Sequence, residues 1–221
     1  MKKLVFYGGG YDEHNVELHE ELLRLSERSR PKIRYIPSHY EDSRACYEEF
    51  CEFFDGYGVK SIKYRPIDQP LTTNQLDKIF NTDIIFLSGG NTFYFLHHLK
   101  KSGAFTRLKK FVNEGGVLGG LSAGAIMMTS NINTASFPKF DCDENEIELK
   151  NLNSLDLVNF HFFPHYENTK RYRVELIKYS LELENKPLFA CPDYSGIVVE
   201  GEKLSFIGES YTFYHGQNFR L

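Results

Sequence analysis

Short apolar runs alternate with longer amphipathic stretches along most of the chain. Apolar runs bounded by glycine, proline or polar residues are typical of buried strands, whereas apolar residues spaced three and four apart are typical of helices that pack on a sheet. The runs predict strands at 3–7, 32–37, 59–64, 83–91, 117–121, 157–164, 187–193, 196–201, 203–208 and 212–216. The amphipathic stretches predict helices at 15–29, 44–58, 72–80, 92–103, 104–116 and 169–185.

Strand and helix patterns in alternation predict an α/β fold of three layers, in which a mostly parallel sheet has helices on both faces. The 221 residues suit one such domain over 1–221 better than two small ones. Residues 129–155 break the pattern, because they have little periodicity and are rich in Asn, Asp and Glu. We expect this segment to be a surface excursion that could hold a hairpin.

The composition narrows the class of protein. The chain is 25% charged with a formal net charge of −4, which gives no sign of a basic face for nucleic acid. No stretch approaches the roughly 20 apolar residues that cross a bilayer, and the first apolar run is too short for a secretory leader. The four cysteines contain no CxxC pair and no disulfide framework. We therefore expect a cytoplasmic protein without nucleic-acid or membrane partners.

One glycine-rich turn carries a candidate nucleophile. Residues 120–124, Gly-Leu-Ser-Ala-Gly, match the G-x-S-x-G pattern of a nucleophile elbow and stand between an apolar strand and a helix-compatible segment. Such a turn exposes the Ser122 hydroxyl on a sharp corner, and its small neighbours let strand and helix approach closely. The N–H of Ala123, at the start of the helix, would point at a substrate oxygen. Similar turns also bind phosphate or simply pack, and those alternatives stay open.

A second glycine turn, Ser-Gly-Gly-Asn at 88–91, follows another predicted strand. Ligands of open α/β sheets bind at the carboxyl ends of the strands, so the two turns can face one crevice. There the N–H of Gly90 could help to stabilise an oxyanion, and one such donor contributes about 3–4 kcal/mol in the transition state. A plain loop with a helix cap at Asn91 or Thr92 is the alternative.

A serine nucleophile needs a base, and the base needs an orienting acid. Of the eight histidines, His165 comes just after the 157–164 strand, where an active site at the top of a sheet would have its base. Asp193 follows a later apolar run and could orient the imidazole, although it could equally begin a turn. His161 is expected to be a satisfied core residue. Pro164 argues against the helix that a His161–His165 metal pair would need, so no metal is expected.

These segments resemble the peptidase E family, the aspartyl-dipeptidase-like serine peptidases that include the cyanophycinases. The similarity runs through "FLSGGNTFYFLHHLK", "GGVLGGLSAGAIMM", "NFHFFPHYEN" and "CPDYSGIVVEG". It implies a flavodoxin-like fold of the class I glutamine amidotransferase type, with serine in place of the nucleophilic cysteine. It implies Ser122 as nucleophile, His165 as base and Asp193 as orienting acid. It also implies that the N–H groups of Gly90 and Ala123 stabilise the oxyanion.

The reaction that the resemblance implies is hydrolysis of a short peptide through an acyl-enzyme, without a cofactor. Characterised members of the family favour an amino-terminal aspartate. Asn91, Arg171 and Arg173 are candidate substrate contacts, because arginine can bind a substrate carboxylate with two hydrogen bonds. The two arginines could equally be the solvated face of a helix. A monomer or a homodimer is expected.

Two departures from the aspartyl dipeptidases concern substrate choice. These enzymes carry an important aspartate on the loop after the nucleophile helix, where this chain has the neighbours of Phe137. Asp141 and Asp143 come a few residues later, and either could reach the site. The first loop, "FYGGGYDEHN", resembles the wider family more than the narrow dipeptidases.

Two other functions are open. An α/β-hydrolase-type esterase would use its residues in the order Ser122, Asp193, His215. Against this, only six residues follow His215 and the chain has no HGGG-type motif. A non-catalytic binding or regulatory protein could keep the fold and use the glycine turns as anion sites.

Overall fold

The computed structural model describes residues 1–41, 43–183 and 185–221. A seven-stranded sheet forms the centre, with five parallel strands extended at one edge by two antiparallel ones. In order across the sheet, the strands are β3 (Ser61–Tyr64), β2 (Lys32–Ile36), β4 (Ile84–Leu87), β5 (Val117–Leu121), β1 (Lys3–Tyr7), β8 (Gly196–Glu200) and β9 (Lys203–Ile207).

Helices cover both faces of this sheet. They are α1 (Val16–Leu25), α2 (Arg44–Phe53), α3 (Thr73–Phe80), α4 (Thr92–Lys101), α5 (Ala104–Asn113) and the short α6 (Ala123–Ile126). The helix α7 (Lys170–Ser180) packs instead on a second sheet. Because side chains of a strand alternate between faces, Val5 and Tyr7 pack with α1 and α2, whereas Leu4 and Phe6 pack with α3 to α6. The predicted three-layer, mostly parallel α/β fold is confirmed.

A second, four-stranded sheet lies against the first core. Its strands, in order, are β11 (Gln217–Arg220), β10 (Tyr211–Tyr214), β7 (Leu188–Ala190) and β6 (His161–Phe163). Phe162 and Phe189 join the core of the main sheet, and Phe163 and Leu188 pack on the other side with α7. The sequence pattern did not predict this sheet, because apolar runs identify strands without identifying their partners. It also missed β11, whose residues are mostly exposed.

The segment 129–155 is not the surface excursion that its polar composition predicts. Its described structure is a 3-10 turn at Asn133–Ser136 and an isolated bridge between Asn131 and Asn153, rather than a hairpin. Ile132 and Leu155 are fully buried in the main core. The base of the segment is therefore anchored, and only its middle part lies on the surface.

Several elements are shorter than predicted. Helix α1 ends at Leu25 rather than at residue 29, and the strand predicted at 157–164 forms only over His161–Phe163. In the described part of the chain, no helix combines the length and the apolar character that crossing a membrane requires.

Candidate active site

Ser122 lies on a strained corner between β5 and α6. Its φ is 51° and its ψ is −110°, a combination that residues with a side chain rarely adopt. The Ser122 N–H donates to the Tyr7 carbonyl at 3.1 Å, and the Ser122 carbonyl accepts from the N–H groups of Ala125 and Ile126. The strain is thus held in place by bonds to β1 and to the first turn of α6.

The two glycines that flank Ser122 are required by close packing. A Cβ on Gly120 would lie 2.4 Å from the Gly124 backbone, and a Cβ on Gly124 would lie 2.3 Å from the Leu87 carbonyl oxygen. Any larger residue at either position would push the helix away from the sheet. The close approach of strand and helix that the G-x-S-x-G spacing predicts is therefore present.

Three side chains from separate segments meet at this corner. His165 follows β6, and its Nε2 lies 2.8 Å from the Ser122 Oγ. Asp193 follows β7, and its Oδ1 lies 2.7 Å from the His165 Nδ1. A carboxylate only accepts, so Nδ1 donates to Asp193 and Nε2 is left to accept the Ser122 hydroxyl proton. The His165 and Asp193 side chains are 48% and 45% exposed, so a substrate can reach them.

A loop of three glycines after β1 lies directly against the His165–Asp193 pair. A Cβ on Gly9 would stand 2.1 Å from the Asp193 Oδ1 and 2.3 Å from the His165 Nδ1. The Gly8 carbonyl accepts the His165 N–H at 2.8 Å, and the Gly8 N–H donates to the Ser195 carbonyl at 2.7 Å. The sequence pattern assigned no role to this loop, although three consecutive glycines at the carboxyl end of a strand were a visible signal.

Asn15 anchors the glycine loop from the protein interior. It is 2% exposed, and its Nδ2 donates to the carbonyl oxygens of Gly9 and Tyr11 at 3.1 and 3.0 Å. The Gly9 carbonyl also accepts the N–H of Tyr194 at 3.2 Å. The Tyr194 ring lies on Gly10, where a Cβ would stand 2.1 Å from the ring. The glycine loop under His165 and Asp193 is therefore held by hydrogen bonds from both Asn15 and Tyr194.

The Gly89–Gly90 turn approaches Ser122 from the neighbouring strand. Strands β4 and β5 pair in parallel with Leu87 opposite Gly120, so the residues that follow the two strands lie side by side. A Cβ on Gly89 would be 3.6 Å from the Ser122 Cβ, which is ordinary contact distance. The two glycine turns thus face one crevice, as their positions after neighbouring strands predict.

The two N–H groups expected to stabilise an oxyanion have no hydrogen-bond acceptor in the part of the chain that the structure describes. Within the described residues, nothing accepts a hydrogen bond from the N–H of Gly90 or of Ala123. Gly90 has a φ of 130°, and a Cβ there would lie 2.1 Å from the Ser38 Oγ. Glycine is therefore needed at this position for both its backbone conformation and its small size.

A cleft of about 710 Å³ opens beside the Gly89–Gly90 turn. Its walls come from the carboxyl ends of β2 and β4, from the first turns of α2 and α4, and from the loop after the 3-10 turn at Asn133–Ser136. The residues that line it are Ser38, His39, Ser43, Cys46, Gly89, Gly90, Asn91, Tyr94, Cys142, Asp143, Glu144, Glu146 and Ile147.

Asn91 and Asp143 fix the wall of this cleft. The Asn91 Oδ1 accepts the N–H of Tyr94 at 2.9 Å, which caps α4, and its Nδ2 donates to the Glu144 carbonyl at 2.8 Å. The Asp143 Oδ2 accepts the N–H of Thr92 at 2.7 Å. The cap expected as an alternative at Asn91 is present, and the other end of the same amide holds the loop at Glu144.

Comparisons with known proteins identify the family of this chain. A family model described as Peptidase family S51 matches residues 4–207. The chain belongs to peptidase family S51. The resemblance to peptidase E that the sequence motifs indicate is confirmed, and family membership supports a peptidase, a hydrolase of peptide bonds.

Individual relatives of this S51 peptidase agree with the family. An uncharacterized peptidase of Bacillus subtilis, YgaJ, is 27% identical over 213 residues, which are 95% of this chain and 85% of that protein. Peptidase E of Shewanella amazonensis is 26% identical over 143 residues, 62% of this chain and 58% of that protein. The crystal structure of a peptidase from an acI-B1 Actinobacterium has a TM-score of 0.75 at 16% identity, covering 100% of this chain and 94% of that one, and supports the fold.

The arginines expected to bind substrate lie elsewhere on this S51 peptidase. Neither Arg171 nor Arg173 is among the described residues that line the cleft. The Arg171 guanidinium lies 3.4 Å from the centre of the Phe140 ring. Asp141 accepts the Tyr172 hydroxyl at 2.5 Å. Of the two later aspartates it is Asp143 that lines the cleft, where it accepts the N–H of Thr92.

His215 does not take part in the arrangement around Ser122. It occupies the turn between β10 and β11, with its ring 4.1 Å from that of Tyr214. No hydrogen bond among the described residues joins it to Ser122 or Asp193, and both of these contact His165 instead. Ser122, Asp193 and His215 therefore do not form the triad that an α/β-hydrolase would need.

His161 is buried, as expected, but it is not satisfied. Its Nδ1 has no hydrogen-bond partner among the described residues, and burial lowers the pKa of its imidazole. Both ring nitrogens of His165 are engaged with Asp193 and Ser122, which leaves none for a metal pair with His161. Among the residues that the structure describes, no cluster of three His, Cys, Asp or Glu side chains is placed to hold a metal ion.

Proposed function

We propose that this S51 peptidase is a serine peptidase that hydrolyses short peptides through an acyl-enzyme. The observation that carries the proposal is the continuous contact from the Ser122 Oγ through His165 to Asp193, with distances of 2.8 and 2.7 Å. A serine hydroxyl becomes a useful nucleophile when a neighbouring base can take its proton. Here the base is already oriented by a carboxylate, on a corner that exposes the hydroxyl.

The same geometry supports a mechanism in two halves. As the Ser122 Oγ attacks the scissile carbonyl, its proton passes to the His165 Nε2, and Asp193 stabilises the imidazolium that forms. The N–H groups of Gly90 and Ala123 donate to the oxyanion of the tetrahedral intermediate. His165 then gives the proton to the leaving amine. A water molecule then attacks the acyl-enzyme while His165 takes its proton, and the proton passes to the Ser122 Oγ as the product acid is released.

The size of the cleft supports a short substrate. Ligand sites of about 300–1,000 Å³ bury molecules of the size of a drug, and the cleft of about 710 Å³ beside Gly90 falls in this range. A dipeptide or tripeptide fits such a volume, so we favour a dipeptidase-like exopeptidase. The proposed chemistry uses only side chains and backbone groups of the protein. Location in the cytoplasm and a monomeric or homodimeric state stay predictions.

A fluorophosphonate probe tests the proposal against the non-catalytic alternative. We expect the probe to label the wild-type protein once, at Ser122, as seen by intact mass and peptide mapping. Ser122→Ala should abolish labelling and peptide hydrolysis while leaving the unfolding midpoint nearly unchanged. Ser130→Ala, a serine on the loop after α6, serves as the matched control and should label like the wild type. A folded wild-type protein that takes no label would favour a binding protein.

A further inference from the structure

The cleft beside Gly89 and Gly90 lies where part of a substrate has to go. In the main sheet β5 stands between β4 and β1, so Ser122 at the end of β5 has a neighbour on each side. On the β1 side stands His165, held by the Gly8 carbonyl. On the β4 side the Gly89–Gly90 turn opens into the cleft. A peptide whose scissile carbonyl lies over Ser122, facing His165, extends across Gly90 into this space.

The charged lining of the cleft is acidic. Asp143, Glu144 and Glu146 line it, and its described lining contains no lysine or arginine. Asp143 is engaged with the N–H of Thr92. The side chains of Glu144 and Glu146 are exposed and have no hydrogen bond or ion pair with any described residue. Their charges are therefore not neutralised by this part of the protein itself.

An aromatic wall completes the lining. The Tyr94 ring, on the first turn of α4, lies 5.1 Å from the His39 ring and 4.3 Å from the His98 ring, centre to centre. Tyr94 and His39 both line the cleft. The face of an aromatic ring attracts an ammonium or guanidinium group, whereas a carboxylate next to Glu144 and Glu146 would meet like charge.

From these observations we propose that the cleft binds a cationic group of the substrate, so that basic short peptides are preferred over acidic ones. The inference rests on the proposed serine-peptidase function, since the cleft is described as the substrate-binding part of that site. The cation is a lysine or arginine side chain, because the terminal ammonium is common to all dipeptides. Asp143 shapes the wall, and Glu144 and Glu146 determine the specificity.

The first test is a kinetic comparison on the full chain. We expect kcat/KM for Lys-Leu and Leu-Lys to exceed that for Asp-Leu, with Leu-Leu between them. An exposed charge pair is worth up to about fivefold in affinity, so Glu144→Gln with Glu146→Gln should remove most of the preference. Glu148→Gln, which lies on the same loop but does not line the cleft, is the matched control and should leave the preference intact. Wild-type protein that cleaves Asp-Leu best, or a preference that survives the double substitution, overturns the inference.

Acetylation of the lysine side chain removes its charge and leaves the terminal ammonium in place. We expect Lys-Leu acetylated at Nζ to lose its preference over Leu-Leu. A preference that persists without the side-chain charge overturns the inference. Salt provides an independent check, since raising ionic strength screens exposed charges and should weaken the preference in wild type but not in the double variant.

A binding measurement distinguishes this inference from the proposed chemistry. Calorimetry with Ser122→Ala reports binding of Lys-Leu and Asp-Leu without turnover. Tighter binding of Lys-Leu that is lost on adding Glu144→Gln and Glu146→Gln supports the inference, even if the wild type were to hydrolyse no peptide. In that case the proposed function would fail alone. Equal or tighter binding of Asp-Leu, or no binding of either peptide, overturns the inference.

Discussion

The two sides of Ser122 are built in different ways. On the β1 side, His165 and Asp193 are hydrogen-bonded to each other and lie on the Gly8–Gly10 loop, which leaves no room for another side chain. On the β4 side, the N–H of Gly90 has no described acceptor, and the loop that faces it carries exposed carboxylates. The β1 side is filled by contacts within the protein, whereas on the β4 side Gly90, Glu144 and Glu146 present groups without a hydrogen-bond partner among the described residues.

This difference distinguishes the groups proposed to transfer the proton from the groups proposed to select the substrate. Proton transfer depends on distances fixed to a fraction of an ångström, so its groups benefit from orientation before the substrate binds. Substrate binding needs donors and charges that the protein leaves unsatisfied. We therefore expect substitutions on the β1 side to lower kcat steeply, and substitutions on the β4 side to change which peptide is cleaved.

The largest effect is expected for the base itself. His165→Ala removes the group that takes the Ser122 proton, so kcat/KM should fall by about 10⁴- to 10⁶-fold, as for members of other catalytic triads. His215→Ala, at an exposed turn, is the matched control and should keep nearly full activity. Initial rates of peptide hydrolysis measure both. A dispensable His165 together with an essential His215 would show that the base is wrongly assigned.

A smaller but still large effect is expected for Gly9→Ala. Its Cβ would overlap the Asp193 Oδ1 and the His165 ring, so the pair has to move. Misplacing a catalytic group by about 1 Å can cost about 100-fold in rate, and we expect a loss of this size in kcat.

Gly115→Ala provides the control for Gly9→Ala, because it tests backbone strain without overlap. Gly115 has a φ of 91°, and a Cβ added there would have no other atom within 4 Å. We expect this variant to lose about 1–2 kcal/mol of unfolding free energy, the usual cost of a left-handed backbone, and to keep its kcat. Urea unfolding and steady-state kinetics together separate the two effects. Equal kcat losses in both variants would contradict the role given to the glycine loop.

A moderate effect is expected for Asn15→Ala. The change removes the donor to the Gly9 and Tyr11 carbonyls, which are left without this partner in a buried place. Such a loss costs about 1–3 kcal/mol of unfolding free energy. We also expect kcat to fall about tenfold, since a loosened loop misplaces the acid–base pair by less than an added Cβ does.

Ser180→Ala is the matched control for Asn15→Ala. Ser180 is 2% exposed, and its hydroxyl bonds the Ile177 carbonyl and the Gly216 N–H, on α7 and the β10–β11 turn. We expect a comparable loss of unfolding free energy with kcat unchanged. If Asn15→Ala lowers stability but leaves kcat at the wild-type value, Asn15 supports the fold and does not position the pair.

The sequence predicts the convergence of the site better than its surroundings. Ser122, His165 and Asp193 each follow an apolar run, and residues at the carboxyl ends of parallel strands gather at one edge of a sheet. The one-dimensional pattern therefore contains the information that brings them together. His165 follows β6, a strand of the second sheet, and the pattern does not predict this sheet. Because β6 and β7 pair in parallel, His165 and Asp193, which follow these two strands, lie side by side.

The surroundings depend on contacts between distant segments, which no local pattern records. Asn15 supports the site from the start of α1, although its sequence neighbours suggest only a helix start. Asp143 and Glu144 reach α4 through bonds that span more than fifty residues, so the acidic cleft could not be read from the chain. The substrate contacts predicted at Arg171 and Arg173 stay predictions, and the structure places the Arg171 guanidinium over the Phe140 ring.

The smallest effect is expected for His161, which lies in β6, four residues before His165. His161 is 5% exposed, and burial, with a smaller contribution from Lys186, lowers the pKa of its imidazole below the usual value of 6.5. The unfolded chain therefore takes up a proton at a higher pH than the folded chain does. Stability from the neutral imidazole is complete above pH 6.5 and is lost as the pH falls from there towards the folded-state pKa.

His161→Phe removes this titration and the unpartnered Nδ1 while keeping an aromatic ring in β6. We expect its unfolding free energy to fall less than that of the wild type between pH 7.5 and pH 5, as measured by urea unfolding at several pH values. His14→Phe, at an exposed position, is the matched control for the exchange of histidine for phenylalanine and is measured in the same way. Parallel curves for wild type and His161→Phe would mean that the imidazole takes up its proton at the same pH in the folded and the unfolded chain. In that case His161 would contribute nothing to the pH dependence of the unfolding free energy.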